Sequence, residues 1–319
     1  MKEMTEKKSQ KRSDVIVKRK KLNINQWQLI SLAVIPALFV LVFSYLPMFG
    51  VIIAFKDYRY NLGIWGSDWV GLDNFTYFFK TNDFWTITKN TLVMNFGFIF
   101  IGMIAAIALA VLFYEVRGKK AIKTYQTLAI FPHFLSWVVV GCIGYAFLQP
   151  SHGLVNAFLA NFGIEPIDWY SKPEVWPAIL IFVSVWKHVG MDCIIYYATM
   201  MGIDYSLYEA AAIDGANKWK QIIHITIPSL IPIIVILGIM KIGNIFRADF
   251  GLFYQMTRDI GALYETTDVL DTYIYRTMRV FGDMSTSAAM GLLQSVVGFV
   301  LVIITNAITR RVDEDLSLF

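Results

Sequence analysis

Six apolar runs divide this chain, at about 28–54, 88–113, 126–149, 176–201, 227–248 and 285–309. As a helix, each is long enough to cross a hydrocarbon layer, which takes about 20 residues. Inside that layer no water serves the backbone, so each N–H and C=O must be bonded within its own segment, and a helix does this. The runs therefore predict an all-α polytopic membrane protein with six transmembrane helices. Composition agrees, at 56% hydrophobic and 16% charged residues. A length of 319 residues would suit two soluble domains, but the runs take up nearly half of it. Cys142 and Cys193 both fall inside apolar runs, which argues for packing and against a disulfide framework or a metal site.

Residues 1–23 form a polar, basic tail ending in Lys18-Arg-Lys-Lys21, and residues 24–319 form the membrane domain. The run behind the tail is too long for a signal core and lacks a small-residue cleavage site, so it reads as an uncleaved first helix. Retention beside anionic lipid suits the tail better than nucleic-acid binding. The tail, the loop Tyr114–Tyr125, the loop 202–226 and the C-terminus hold seventeen lysines and arginines, against seven in the other loops. The positive-inside rule then places both termini and the 202–226 loop in the cytoplasm, the expected home being a prokaryotic cytoplasmic membrane.

Two loops on the opposite side carry further signals. The stretch from Phe55 to Ile87 is crowded with rings, among them Trp65, Trp69, Phe75, Phe84 and Trp85, and polar-edged aromatics favour the headgroup region. A sugar-stacking platform is the alternative reading. The loop between spans five and six is long for a structureless connection, and its Asp268–Gly282 section reads as helical.

The 202–226 loop holds the most specific motif. Ser206 and Glu209 have capping-box spacing, which predicts a short helix starting there, and Gly215 can take the left-handed conformation that ends it. Ala210, Ala211 and Ala212 keep the helix thin enough for another protein surface to approach its backbone. Pro228 suits the first turn of the next membrane helix, where a missing N–H costs nothing.

From Glu209-Ala-Ala through Gly215 and Ile225 to Pro228, this order resembles the EAA loop of binding-protein-dependent ABC importers. Ile227 stands where that family usually has leucine. Asp214-Gly215-Ala216 and Trp219 resemble its maltose-type carbohydrate branch. Val70-Gly-Leu-Asp-Asn-Phe75 resembles a family motif after the first span, where a short helix lies flat on the membrane. Met290-Gly-Leu-Leu-Gln-Ser with Asn306 resembles the last span of permeases that serve large oligosaccharides through a lipoprotein receptor. The resemblance covers about residues 25–312 and implies the type I ABC importer permease fold. It also implies a carbohydrate substrate, an oligosaccharide, moved by alternating access. The partners it implies are a second, homologous permease chain, two ATPase subunits and an extracytoplasmic substrate-binding protein. Glu209, Ala210, Ala211, Asp214, Gly215 and Pro228 would then couple the chain to the ATPases.

No Gly-x4-Gly-Lys-Ser/Thr loop, no Gly-x-Ser-x-Gly elbow and no metal-spaced histidine pair occurs, so ATP is expected on separate subunits and no catalytic residue is assigned. The informative polar residues lie in spans four and five: Lys187, His188, Asp192, Tyr196, Lys241 and Asn244. His188, Asp192 and Tyr196 recur every four residues and share a helix face, with Lys187 about 100° away. Lys187 and Asp192 together cost roughly 5–7 kcal/mol at a helix centre, against roughly 3–5 returned by the leucine, isoleucine, phenylalanine and valine of Trp176–Met200. Span four must therefore turn its polar face to other helices or to water. Two readings stay open: these groups line a substrate pathway, or Asp192 and Lys241 form an ion pair that locks two helices. Gln294 and Asn95 more simply join helices. Two other functions also remain: a permease for another solute such as peptides, or an intramembrane enzyme using His188 and Asp192.

Overall fold

The computed structural model describes residues 24–81 and 83–312, so the expectation for the basic tail lies outside the described residues. Five helices are long and apolar enough to cross a membrane: Ile30–Phe55, Asp83–Glu115, Pro173–Met200, Lys218–Gly243 and Met284–Arg311. They correspond to expected spans one, two, four, five and six. Two compact units partition the chain, Met1–Gly50 and Val51–Phe319. In the first, the α-helix Ile24–Val40 passes into a single π-turn at Leu41–Tyr45, shortly before Pro47. A proline cannot donate to the helical ladder, and a wider turn before it accommodates the interruption.

Span three departs from expectation. It is a bent pair, Lys119–Phe134 and Trp137–Leu148, meeting at 95°. Pro132 opens the 3-10 turn Phe131–Phe134 at the end of the first half, and Leu135 is extended. Ser136 then caps the second half, its side chain accepting from the Val139 N–H at 3.3 Å. The break strands carbonyls at the end of the first half, and Lys187 of span four supplies their donor. Its ammonium bonds the carbonyl oxygens of Leu135 at 2.6 Å, His133 at 2.8 Å and Pro132 at 3.3 Å. It also stands 5.1 Å from the centre of the Trp137 ring. A cation at a helix C-terminus meets the negative end of the helix dipole. Close approach is possible because residue 190 is glycine: a Cβ there would overlap the Ala129 carbonyl.

Around this corner the unit from Val51 packs in three clusters. Spans two and four meet through Ala106, Ala110 and Phe113 on one side and Cys193, Tyr196 and Met200 on the other, joined by Leu230 of span five. A second cluster unites Trp137–Leu148 with the short helix Phe250–Thr257 through Val140, Leu148, Leu252, Phe253 and Met256, with Trp176 and Leu180 of span four. Small residues let these backbones draw together, which in a membrane is the main source of helix association. The third cluster, Phe78, Ile87, Leu270 and Met290, seats the helix Asp73–Lys80 against the start of span six. Val70–Phe75 thus leads into a short helix, as the family motif implied. Asn74 anchors it by donating to the carbonyls of Ala54 and Lys56 at 2.9 and 3.0 Å. Most rings of this loop stay exposed, with Trp65 and Trp85 among the barest, whereas Phe78 is buried.

Between spans five and six the chain is built and not loose. Leu270–Arg279 is a helix, inside the expected Asp268–Gly282 section. It is tied to span two, where Asn90 donates to the Glu265 and Asp268 carbonyls and Thr91 accepts from the Leu270 N–H at 2.9 Å. Asp268 and Arg276 form a buried pair with both contacts at 2.6 Å. Burial pushes the Asp271 carboxyl above the usual carboxylate range, while the Ala248 N–H and Gln294 pull it back.

The corner gives a direct test. Among the described residues Lys187 is the one side-chain donor to these carbonyls; the Leu135 N–H still bonds that of Pro132, so Lys187→Met leaves those of His133 and Leu135 unserved, and each costs about 1–3 kcal/mol when buried. The variant is expected to lose ~5 °C or more in apparent Tm in detergent, and Lys187→Arg less. A wild-type Tm for Lys187→Met would show that another donor holds the break.

Candidate functional site

Two regions collect the residues that the sequence singled out. The first is the connection between spans four and five. A helix runs over Tyr205–Ile213, one residue after Asp204, whose side chain accepts from the Ser206 N–H at 3.0 Å. The cap is therefore Asp204 and not the expected Ser206–Glu209 box. An Asp-x-Ser start competes successfully because the carboxylate is the better acceptor, and the Ser206 N–H and hydroxyl hold the Asp204 carboxyl below its usual range. At the other end Gly215 has φ +79°, as expected. The Ala216 N–H bonds the Ala211 carbonyl at 2.8 Å and the Gly215 N–H bonds Ala212 at 3.1 Å, which is the Schellman pattern.

Pro228 is not at a helix start. The helix begins at Lys218, capped by Asn217, and passes through a π-turn at Ile222–Thr226 before reaching the proline. The wider turn, in which the Ile227 N–H bonds the Ile222 carbonyl, carries the helix past a residue without a donor. The short helix is fixed to this base by the Tyr208 hydroxyl on Thr226 at 2.9 Å and by Gln221 on the Tyr208 carbonyl at 3.4 Å. Lys218 pairs with Glu115 at 3.1 Å, so the whole element sits at the Glu115 end of span two. Glu209, Ala210 and Asp214 face outward. Ile213 is 86% exposed and Trp219 73%, so the loop presents two bare apolar side chains to its surroundings.

The second region is a cavity of about 450 Å³ among spans two, four and five. His188 and Asp192 line it from span four, Lys241, Asn244 and Arg247 from the end of span five, and Asn95 from span two. Lys241 donates to Asp192 at 2.8 Å, the pairing raised from the sequence. Each side chain is about one-third exposed, so the pair borders the cavity and is not sealed in the protein. His188 bonds its own helix through the Ser184 carbonyl and stands 5.6 Å from the His133 ring. Span five stops at Gly243, short of the expected 248, so Asn244 ends the helix and Arg247 lies beyond it, bonded to Ser295 at 3.2 Å.

Lys187 and Tyr196 are elsewhere. Lys187 is consumed by the span-three carbonyls described above. Tyr196, one turn past Asp192, is 2% exposed in the core between spans two and four. Helical spacing put it on the face of His188, but the cavity ends before that turn and span two covers the ring. Gln294 and Asn95 bond backbone, Gln294 bridging Phe246 and Asp271. Arg247, which falls inside the expected fifth run and would suit an acidic oligosaccharide, also lines this cavity from beyond the helix end. Among the described residues no three His, Cys, Asp or Glu side chains converge as a metal site.

A helical bundle with a broken span, a part-polar cavity between helices and an exposed coupling-type helix at one end defines a membrane transport subunit. This chain belongs to the family of binding-protein-dependent transport system inner membrane components, whose sequence profile matches residues 98–314. It is 36% identical over 285 residues to the protein LplB of Bacillus subtilis (strain 168), covering 89% of both chains. It is 36% identical over 301 residues to the polygalacturonan/rhamnogalacturonan transport system permease protein YteP of the same strain, covering 93% of both. Its fold matches a chain of a bacterial ABC transporter involved in the import of the acidic polysaccharide alginate, with TM-score 0.81 and 33% identity over 91% of this chain and 97% of that one. The chain is thus a multi-pass permease with the ABC importer fold.

The placement of Tyr196 changes what its variants should do. Tyr196→Ala would open a cavity in the core and cost about 3–5 kcal/mol, lowering Tm and yield. Tyr196→Phe should match wild type in both. A normal Tm for Tyr196→Ala, with altered solute selectivity, would return the residue to the pathway.

Proposed function

We propose that this chain is one of two permease subunits of an ATP-driven importer that carries an oligosaccharide across the cytoplasmic membrane of a prokaryote. The observation that carries this reading is the cavity between spans two, four and five, where charged and amide side chains border space inside otherwise apolar helices. Transporter sites gather such groups where helices are interrupted. Hydroxyl-rich solutes suit paired donors and acceptors, and relatives whose names specify polygalacturonan/rhamnogalacturonan and alginate support a carbohydrate.

In this reading the chain does no chemistry. Two separate ATPase subunits bind ATP and seat the Tyr205–Ile213 helix, Ala210 and Ala211 allowing close approach and Glu209 meeting the ATPase surface. A second permease completes the pathway, and an extracytoplasmic binding protein delivers the solute. The termini and the Tyr205–Ile213 helix face the cytoplasm, in keeping with the basic residues at the Glu115 end of span two.

Orientation is checked by labelling: Lys119→Cys should react with an impermeant maleimide only after cells are opened, and reaction in intact cells would reverse the topology. For coupling, Glu209→Lys and Gly215→Val are expected to reach the membrane in normal amount yet lose uptake. Valine at a left-handed position costs roughly 1–2 kcal/mol, enough to misplace the helix end without blocking insertion. Normal uptake in both would remove the coupling role.

For the cavity, Asp192→Asn and Lys241→Met should each cut solute-stimulated ATP hydrolysis of the reconstituted complex by about tenfold, the equivalent of ~1.4 kcal/mol. Assembly should stay intact. If the double neutral variant regains full transport, the pair is a helix lock and the pathway lies on other faces.

A further inference from the structure

The cavity between spans two, four and five takes its charge from three side chains, Asp192, Lys241 and Arg247. Lys241 and Asp192 cancel one another through their 2.8 Å contact. Lys187, the remaining cation of span four, points into the break of span three and is taken up by the carbonyls there. That leaves Arg247. It bonds the Ser295 hydroxyl of span six at 3.2 Å, a neutral partner, and among the described residues it enters no ion pair. Asp271 stands near enough to feel the arginine's charge and offsets part of it. However, that carboxylate does not line the cavity, and it accepts the Ala248 N–H at 2.7 Å and the Gln294 amide at 3.0 Å. The walls that a solute would touch thus carry two cations against one anion.

Backbone geometry sets where that extra charge sits. Span five ends at Gly243, and the chain continues in a tight turn, the Arg247 N–H bonding the Asn244 carbonyl at 2.8 Å. The turn carries Arg247 past Lys241, on the side away from Lys218 and the exposed loop helix. An arginine at the end of a span ordinarily stretches its head toward the headgroups. Here the bond to Ser295 holds the head across to span six, where it borders the cavity. Arg247 is exposed, so a solute reaches it without displacing the core. With the loop helix in the cytoplasm, a solute arriving from outside meets Arg247 before the Lys241–Asp192 pair.

We propose that Arg247 determines the specificity of this cavity and selects an acidic oligosaccharide, one whose rings carry carboxylates. A guanidinium presents its N–H donors as a planar fork, which a carboxylate meets with two parallel bonds. A neutral ring offers the fork hydroxyls alone, and a cationic solute is repelled. The Lys241–Asp192 pair is already balanced, so it can serve hydroxyls of the same sugar without favouring either charge. The selection acts most strongly when the pathway closes around its cargo. An arginine shut away from water without a counter-charge is costly, and a bound carboxylate removes that cost. Charge therefore governs the rate of the membrane step as well as the occupancy of the cavity.

The inference rests on the importer reading, and one experiment separates the two. The complete complex is reconstituted in proteoliposomes with its own binding protein, and ATP-driven uptake is measured. The probes are galacturonate and mannuronate trisaccharides, each beside its methyl ester, and neutral maltotriose. Every probe is supplied at a concentration that saturates the binding protein, so the rates report the membrane step. Wild type is expected to move at least one uronate about tenfold faster than its ester, the scale of one charge-assisted pair. Arg247→Gln should bring that ratio close to one, and Arg247→Lys, which keeps the charge, should restore part of it. A wild-type ratio in Arg247→Gln, or a lysine variant no different from the glutamine one, overturns the assignment and leaves the importer reading in place. Equal wild-type rates on acid and ester do the same without any variant, as does uptake of maltotriose with none of either uronate. If Arg247→Gln instead sheds the second permease chain on purification, the arginine is an interface residue and the assignment falls. No ATP-driven uptake of any probe overturns both readings.

Discussion

The bond between one lysine and three carbonyls holds the architecture of this permease in place. A helix cannot turn through 95° inside a membrane without exposing backbone oxygens, and hydrocarbon offers them nothing. Lys187 makes the turn tolerable. Once span three is bent, Trp137–Leu148 runs at an angle to the bundle, and Phe250–Thr257 finds an apolar surface to lie on. The contact is then secured by polar means. Trp137 donates its ring N–H to Asp249 at 2.7 Å, and the same carboxylate caps Phe250–Thr257 through the Gly251 and Leu252 N–H groups. Span five consequently ends where it does because the chain must leave the helix to reach that cap.

Buried polar residues elsewhere follow the same logic of closing backbone. Asn90, Thr91 and Gln294 each satisfy a main-chain group of a neighbouring element. This explains why a chain so rich in irregular segments near its apolar spans can be stable: side chains replace the missing ladder bonds. The cavity residues differ. Asp192 and Lys241 satisfy one another and remain partly open, and Arg247 bonds the Ser295 hydroxyl. Groups fully used by the fold and groups left partly free thus sort into different places, the second set bordering the cavity.

Much of this was legible beforehand because membranes impose few solutions. Apolar length alone located the spans, and Gly215 declared the end of the short helix because φ +79° is open chiefly to glycine. The pairing of Asp192 with Lys241 was visible as two costly charges needing each other. The bend was harder to see. Pro132 and Ser136 were in plain view, but hydropathy averages over a window and reads two half-helices at 95° as one run. Lys187 was misplaced for the same reason: without the bend there are no free carbonyls for it to serve. Tyr196 shows the limit of helical spacing, which assigns a face but not the depth at which a neighbouring helix closes over it. The substitution of Asp204 for the expected cap was a local competition between two acceptors two residues apart.

The helix Lys218–Gly243 runs through the π-turn at Ile222–Thr226 and past Pro228 and Pro232, with its first residue paired to Glu115 beside the exposed loop helix and Lys241 in its last turn. Those two lysines are about 35 Å apart along the axis at ~1.5 Å per residue. A tilt pivoted at the loop end would move the end bearing the ion pair furthest. A tilt of about 5° displaces that end by roughly 3 Å, which follows from the same rise per residue. The Lys241–Asp192 bond is 2.8 Å long, about the size of that displacement. Amplification of this sort follows from helix length, and any bending at the π-turn or the prolines would absorb part of it.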